Sequence, residues 1–351
     1  MAEILAARAP FVEANLAGCP SWPESLKNAV RSGRKLLEML ELSPDLASGA
    51  AEEDFQVFAP LEYIRRIRPG DSEDPLLLQV LATPSEVSGS ESLTGNGLLD
   101  PVGDRSAEVL PGLLRKYHGR ALLIASGACA IHCRYCFRRH FPYALAPHSI
   151  DQWQPAIDYI AQDDSLDEVI LSGGDPLMLV DSSLTWMIRQ LDKIPHLRRI
   201  RIHSRFPVVI PQRVSPAMLD WIRDSRCAIY FVLHINHVAE IDEFLAQSLS
   251  QLRLAGVTLL NQSVLLRGIN DTPEAQRELC LRLCDLQVLP YYLHQLDRVQ
   301  GAMHFQVPDS QATQIVEHLR EVLPGYAVPR LVREVAGQAY KVPLELENNS
   351  R

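Results

Sequence analysis

Between residues 121 and 293 short apolar runs alternate with longer stretches whose apolar residues recur at helical spacing. Residues 121–125, 168–171, 199–203, 228–233, 257–260 and 289–293 read as strands, being short, apolar and bounded by glycine, proline or polar residues. Most are followed by a helical pattern, as at 183–193. Repeated βα units predict an α/β fold with a parallel sheet, closed or partly closed. Chemistry in such folds gathers at the C-terminal strand ends. Polar clusters stand there: Ser172-Gly173-Gly174-Asp175, His234-Ile235-Asn236-His237, Asn261-Gln262 and His294-Gln295-Leu296-Asp297. Their shared position predicts one common site.

The flanks read differently. Residues 24–42 carry a helical pattern through Leu26, Val30, Leu36, Leu37, Leu40 and Leu42, with Ser21 and Glu24 as a capping box and Ser43-Pro44 as the stop. Residues 55–68 predict a short amphipathic segment ending at Pro69-Gly70. Residues 71–110, with Ser88-Gly89-Ser90-Glu91-Ser92, predict a long irregular connection. A strand-like run begins at Val328, and Gly337 opens a turn before Lys341. The organisation expected is an N-terminal helical extension and connection over 1–110, a barrel over 111–300 and a C-terminal segment over 301–351.

The chain of 351 residues is 47% apolar and 22% charged, a globular composition. A net charge of −9 speaks against a general nucleic-acid binder. No apolar stretch reaches the roughly 18 residues of a membrane span, and Met1-Ala2-Glu3-Ile4 does not open a secretory signal. These features predict a cytoplasmic protein whose seven cysteines are reduced.

Three of those cysteines, Cys129, Cys133 and Cys136, follow the first strand at C-x3-C-x2-C spacing. Three thiolates on one loop suit a cubane iron–sulfur cluster with one iron left open, since such clusters usually want four. Zinc prefers two separated pairs, and no second pair of that kind follows. Lys116-Tyr117-His118-Gly119-Arg120 could form a phosphate cradle, but taken alone it reads more readily as a solvated turn before a strand. Arg138 and Arg139 are either surface charge or a grip on an anion. Ser172–Asp175 is either a ligand-hugging turn or an ordinary one, and Asp175 either receives an amine or caps a helix.

Together these motifs resemble the lysine 2,3-aminomutase family of radical SAM enzymes. The resemblance runs from about Leu113 to Pro343 through the cysteine loop, Ser172-Gly173-Gly174-Asp175-Pro176-Leu177, Ser204-Arg205-Phe206-Pro207 and Asn261-Gln262-Ser263-Val264. The stretch from Cys133 to Tyr143 is most similar to the branch that makes (R)-β-lysine for modification of elongation factor P. The resemblance implies a partial (β/α)6 radical SAM barrel with a short C-terminal cofactor-binding segment. It implies a 4Fe–4S cluster on the three cysteines, S-adenosylmethionine and pyridoxal phosphate.

By that resemblance Lys341 anchors pyridoxal phosphate covalently, and Lys116, Tyr117 and Arg120 bind its phosphate. Arg138 takes the carboxylate of L-lysine; Asp297 and Glu334 hold its distal ammonium. Gln262, His234 and Ser172, Gly173, Gly174 and Asp175 surround S-adenosylmethionine. Implied partners are an electron donor such as flavodoxin or ferredoxin, a downstream elongation factor P ligase and a second copy of the chain. The chain departs from its clostridial-type relatives in three ways. Glu334 replaces Asp, Gly337-Gln338-Ala339-Tyr340 replaces a glycine-rich run, and Thr272 stands where a zinc cysteine is expected. Cys280 and Cys284, four apart on an expected helix, read as ordinary thiols because two ligands do not complete a zinc site. Competing readings are an arginine or glutamate 2,3-aminomutase and a non-catalytic iron–sulfur or zinc module. Paired acids disfavour glutamate.

Overall fold

The computed structural model describes residues 19–87 and 97–345, so Met1-Ala2-Glu3-Ile4 and Ser88-Gly89-Ser90-Glu91-Ser92 lie outside the described residues. Ten strands form one sheet in chain order: β1 (Glu108–Leu110), β2 (Leu113–Leu114), β3 (Arg120–Ser126), β4 (Glu168–Gly173), β5 (Arg199–Ser204), β6 (Ala228–Leu233), β7 (Thr258–Leu265), β8 (Leu289–Gln295), β9 (Arg330–Arg333) and β10 (Val342–Pro343). From β3 to β9 every pairing is parallel. At the two ends, β1–β2, β2–β3 and β9–β10 pair antiparallel. The six expected strands are β3 to β8, and the run from Val328 supplies β9. Among the described residues β1 and β10 do not pair, which leaves an open, partial barrel.

Side chains alternate across the sheet. Leu123, Leu171, Ile202, Phe231 and Leu259 are paired in register from β3 to β7 and are all buried in the main core. That face is covered by α5 (Ile150–Gln162), α6 (Asp181–Asp192), α7 (Phe206–Val209), α8 (Pro216–Asp224), α9 (Glu243–Leu254) and α10 (Pro273–Asp285), through residues such as Trp153, Leu184, Met218, Leu249 and Leu279. A last helix, α11 (Asp309–Val322), packs against α10 in a second cluster. The alternate positions Leu122, Ile170 and Arg201 turn inward to a cavity.

Toward the N-terminus the sequence reading needs correction. The single helix expected over 24–42 is two, labelled here αA (Trp22–Lys27) and αB (Gly33–Met39). Val30 between them exchanges both backbone bonds with Ala59, at 2.8 and 2.9 Å, so it cannot also serve a helix. The box at Ser21 forms: the Glu24 carboxylate accepts from the Ser21 N–H at 2.9 Å and hydroxyl at 2.6 Å. αB stops at Met39, ahead of Ser43-Pro44, because Glu41 adopts a φ of 58°. Of residues 55–68 only Leu61–Ile64 is helical, the Val30–Ala59 bridge holding the preceding residues extended. The connection after Gly70 is irregular yet far from loose. Leu76, Leu77 and Val80 are fully buried in the main core, and the Asp74 carboxylate caps their turn through the Leu76 and Leu77 amides.

Candidate active site

β3 delivers the chain to the cysteine loop, and its neighbour β4 pins that loop. The amide of Gly174 donates to Ser126 O and that of Asp175 to Ala128 O, each at 2.8 Å. This approach requires glycine: Gly173 has a φ of 120°, and a Cβ on Gly174 would stand 2.5 Å from Ala128 O. From the other side His132 N donates to Phe58 O and Arg134 N to Gln79 O, both at 2.9 Å. Arg134, fully buried, ties the loop to Glu86 at 2.6 Å.

Cys129, Cys133 and Cys136 all line the cavity at the C-terminal strand ends, whose volume is about 310 Å³. Burial, then the neighbouring Cys136, Asp175 and Cys133, push the Cys129 thiol well up; burial and Cys133 push Cys136 up to about 11. Among the described residues no three His, Cys, Asp or Glu side chains converge on a single metal-ion position.

Opposite the thiols runs a ladder of alternating charge. Lys341 Nζ donates to Glu334 Oε2. The other Glu334 oxygen lies 2.8 Å from Lys116 Nζ, which also reaches Asp104 at 2.6 Å and Val102 O at 2.9 Å. The second Asp104 oxygen lies 2.7 Å from Arg138 Nε, and Arg138 Nη1 donates to Ser172 Oγ at 3.2 Å. Burial alone would raise Glu334, but Lys341 and Lys116 hold it down to about 2. Asp297 stands apart: burial, then Glu334, push it up to about 7 against the pull of Lys341 and Lys116. Its buried Oδ1 has no hydrogen-bond partner among the described residues.

The residues given a role by the resemblance all line this one cavity: Lys116, Tyr117, Arg120, Cys129, Cys133, Cys136, Arg138, Ser172, Gly173, Gly174, Asp175, His234, Gln262, Asp297, Glu334 and Lys341. Local geometry resolves several open alternatives. Arg138 is buried and ion-paired, not surface charge. Arg139 is spent on Glu86 and Asp54. Asp175 acts as a cap: its carboxylate accepts from Leu177 N, Ser204 Oγ, Arg205 N and Phe206 N, at 2.8–3.0 Å. Gln262 Nε2 lies 2.9 Å from His234 Nε2, and burial drives His234 down to about 3, so the imidazole is neutral. Arg120 lies 5.6 Å from the Tyr117 ring centroid, with one long bond to His118 O.

Two residues escaped the sequence reading. Asp104 sat in an Asp- and Gly-rich loop that resembled any turn. Arg205 stood inside a recognised motif without a role; the structure sets its guanidinium 2.7 Å from Cys133 Sγ. Thr272 is the N-cap of α10, accepting from Ala275 N at 3.2 Å, and Cys280 is buried between α10 and α11.

Over 342 residues the chain is 44% identical to an L-lysine 2,3-aminomutase of Escherichia coli, spanning 97% of this chain and 98% of that one. The chain belongs to the lysine 2,3-aminomutase family, and so is an isomerase. Other members of that family are the L-lysine 2,3-aminomutases of Haemophilus influenzae, 45% identical over 92% of this chain and 94% of theirs, and Clostridium subterminale, 33% identical over 95% and 80%. A solved radical SAM methyltransferase from Sphaerobacter thermophilus is similar at TM-score 0.46 and 17% identity, over 64% of this chain and 72% of its own. No family model matches the chain. Among the described residues of this lysine 2,3-aminomutase family member, no helix is long and apolar enough to cross a membrane.

Proposed function

We propose that this chain converts L-lysine to (R)-β-lysine, using a 4Fe–4S cluster, S-adenosylmethionine and pyridoxal phosphate, and that the product serves modification of elongation factor P. The observation that carries the lysine reading is Asp297: a carboxylate whose buried Oδ1 has no partner among the described residues, coupled to Glu334, in a cavity that the Arg138 guanidinium also lines. An α-amino acid with a cationic tail supplies the missing donor at one end and a carboxylate at the other. A glutamate side chain would meet two acids there.

The residues fit the groups required. Three thiols on one cavity-lining loop are the donor set of a cluster with an open iron. Lys341, lining the cavity and bonded among the described residues only to Glu334 through its side chain, is the amine that would hold pyridoxal phosphate. Arg120, with no carboxylate partner, would hold its phosphate beside Tyr117. Lys116 would join them by exchanging an acid for phosphate, since its ammonium already has three acceptors. When bound, these groups supply the hydrogen-abstracting radical and a carrier for the migrating nitrogen. The protein's part is placement. Arg138 grips the carboxylate, and Asp297 with Glu334 grips the ammonium. Glu334 holds and orients the Lys341 ammonium until that amine exchanges partners. Lys116, Arg138, Glu334 and Lys341 already stand in ion pairs, so binding proceeds by exchange of those partners. On this reading the described part of the N-terminal extension covers the barrel, the C-terminal segment brings Lys341, and the enzyme works in the reducing cytoplasm with flavodoxin or ferredoxin as electron donor.

The test is anaerobic. The reconstituted protein receives pyridoxal phosphate, S-adenosylmethionine, a reductant and, separately, L-lysine, L-arginine or L-glutamate, with chiral chromatography of the products. β-Lysine formed from lysine alone, and lost in Cys133→Ala, is the expected result. Product only from arginine would keep the reaction and overturn the substrate. No product from any, with cluster and pyridoxal phosphate bound, would overturn the proposal.

A further inference from the structure

Beside the cysteine loop lies a buried polar cluster that none of the roles above uses. Arg205 is 6% exposed, and its Nη1 donates to Cys133 Sγ at 2.7 Å and to the Tyr135 hydroxyl at 2.6 Å. Nη2 donates to Gln79 Oε1 at 2.7 Å and to Glu240 Oε2 at 2.8 Å. Glu240 and Gln79 are fully buried. The backbone of Arg205 is fixed as well, its amide donating to Asp175 Oδ2 at 2.9 Å. The guanidinium therefore cannot follow solvent or a mobile loop; its position relative to Cys133 is set by the fold.

We propose that Arg205 is a positioning residue that sets the reduction potential of the iron–sulfur cluster, through its charged N–H bond to the Cys133 sulfur and the oriented Arg205–Glu240 ion pair behind it. This deepens the function proposed above and rests on its cluster assignment. Reduction adds negative charge to a cluster and its thiolates. Hydrogen bonds to the sulfurs and local net charge are the levers by which a protein adjusts that step. In a buried setting neither water nor salt screens the guanidinium. It thus favours the reduced cluster, while Glu240, on its far side, opposes it from a greater distance. The ion pair presents its positive end to Cys133. Holding both members keeps the site neutral as a unit and biases it toward accepting the electron.

The two members then have opposite signatures. In Glu240→Gln the guanidinium loses its counter-charge, and the midpoint shifts to a more positive potential than wild type. In the double variant Arg205→Met with Glu240→Gln, which leaves no carboxylate buried alone, the midpoint shifts to a more negative potential than in Glu240→Gln. The experiment is spectroscopic redox titration of the full-length, anaerobically reconstituted proteins without substrate, after iron and sulfide have been counted per chain. Packing damage would move both variants the same way. Shifts of opposite sign are expected; equal midpoints, or shifts of the same sign, in proteins holding wild-type amounts of cluster would overturn the proposal. If the double variant does not fold, Glu240→Gln decides alone: a midpoint at or below wild type overturns it. A wild-type chain that binds no 4Fe–4S cluster would refute the functional reading instead, so the two failures are distinct.

Discussion

Asp297 and Glu334 share one cavity and are driven to opposite protonation states, Asp297 up to about 7 and Glu334 down to about 2. Desolvation raises both half-buried acids, and the distribution of cations then separates them. Glu334 has Lys116 and Lys341 on its two oxygens, whereas Asp297 Oδ1 has no donor among the described residues. Between about pH 4 and pH 7 the folded chain keeps a proton on Asp297 that an unfolded chain releases. Stability therefore falls as pH rises through that window, by at most about 1.4 kcal/mol per unit from this group. Glu334 behaves the other way: its contribution is present above about pH 4.5 and is lost as pH falls toward 2. Asp297→Asn is expected to flatten the decline in melting temperature between about pH 5 and 7. A lysine ammonium prefers the ionised acid, so lysine affinity is expected to rise across the same range in wild type only. Parallel melting profiles for the two proteins would contradict this.

Asp104 is the hinge of the charge ladder, with one oxygen on Lys116 and the other on Arg138. Burial would raise it, and those two cations hold it below the ordinary carboxyl range. Asp104→Asn removes the shared counter-charge and is expected to destabilise the protein by about 3 kcal/mol or more, as when one member of a buried pair is lost. Chemical denaturation measures it. A change under about 1 kcal/mol, the range of an exposed pair, would show that the ladder is not coupled.

The barrel was legible because its strands end in chemistry. Leu123, Leu171 and Ile202 repeat one apolar face, and Ser172, His234 and Asp297 mark the strand ends. What could not be read depended on distant pairing. Val30 looked helical until Ala59 claimed its backbone. β1, β2 and β10 span three, two and two residues, too few for a period. Asp104 has the local sequence of a turn, and only the fold brings it between Lys116 and Arg138, 12 and 34 residues away. Lys341 carried no local signal either; its cavity position follows from β9 and β10 folding back beside β8.

Gly174 tests how the two loops fit. Its absent side chain makes room for Ala128 O and for the carbonyl carbons of Gly127 and Ala128. These are backbone atoms, so Gly174→Ala must move the cysteine loop itself. The expected cost is about 1–3 kcal/mol, typical of overpacking, with iron content falling in parallel because Cys129 moves with Ala128. Wild-type iron and stability together would mean that the loop tolerates the shift.

Lys341 and Arg120 differ in what each would give to pyridoxal phosphate. Lys341 has its ammonium on Glu334, with no other side-chain bond among the described residues, so it is free to exchange that partner for a covalent one. Borohydride reduction of the pyridoxal phosphate complex, followed by peptide mapping, is expected to label Lys341 alone. Lys341→Ala is expected to abolish both the label and the absorbance of the covalent complex. Arg120 touches the fold through one 3.5 Å bond to His118 O and its stacking near Tyr117. Arg120→Ala should leave stability within about 0.5 kcal/mol of wild type, as for other weakly engaged side chains. It should nonetheless weaken cofactor affinity roughly tenfold to a hundredfold, the worth of one charge-assisted hydrogen bond. The covalent label would survive at saturating cofactor, because Lys341 is intact. Label on Lys116 instead, whose ammonium is already bound by Asp104 and Glu334, would reverse the assignment of the two lysines.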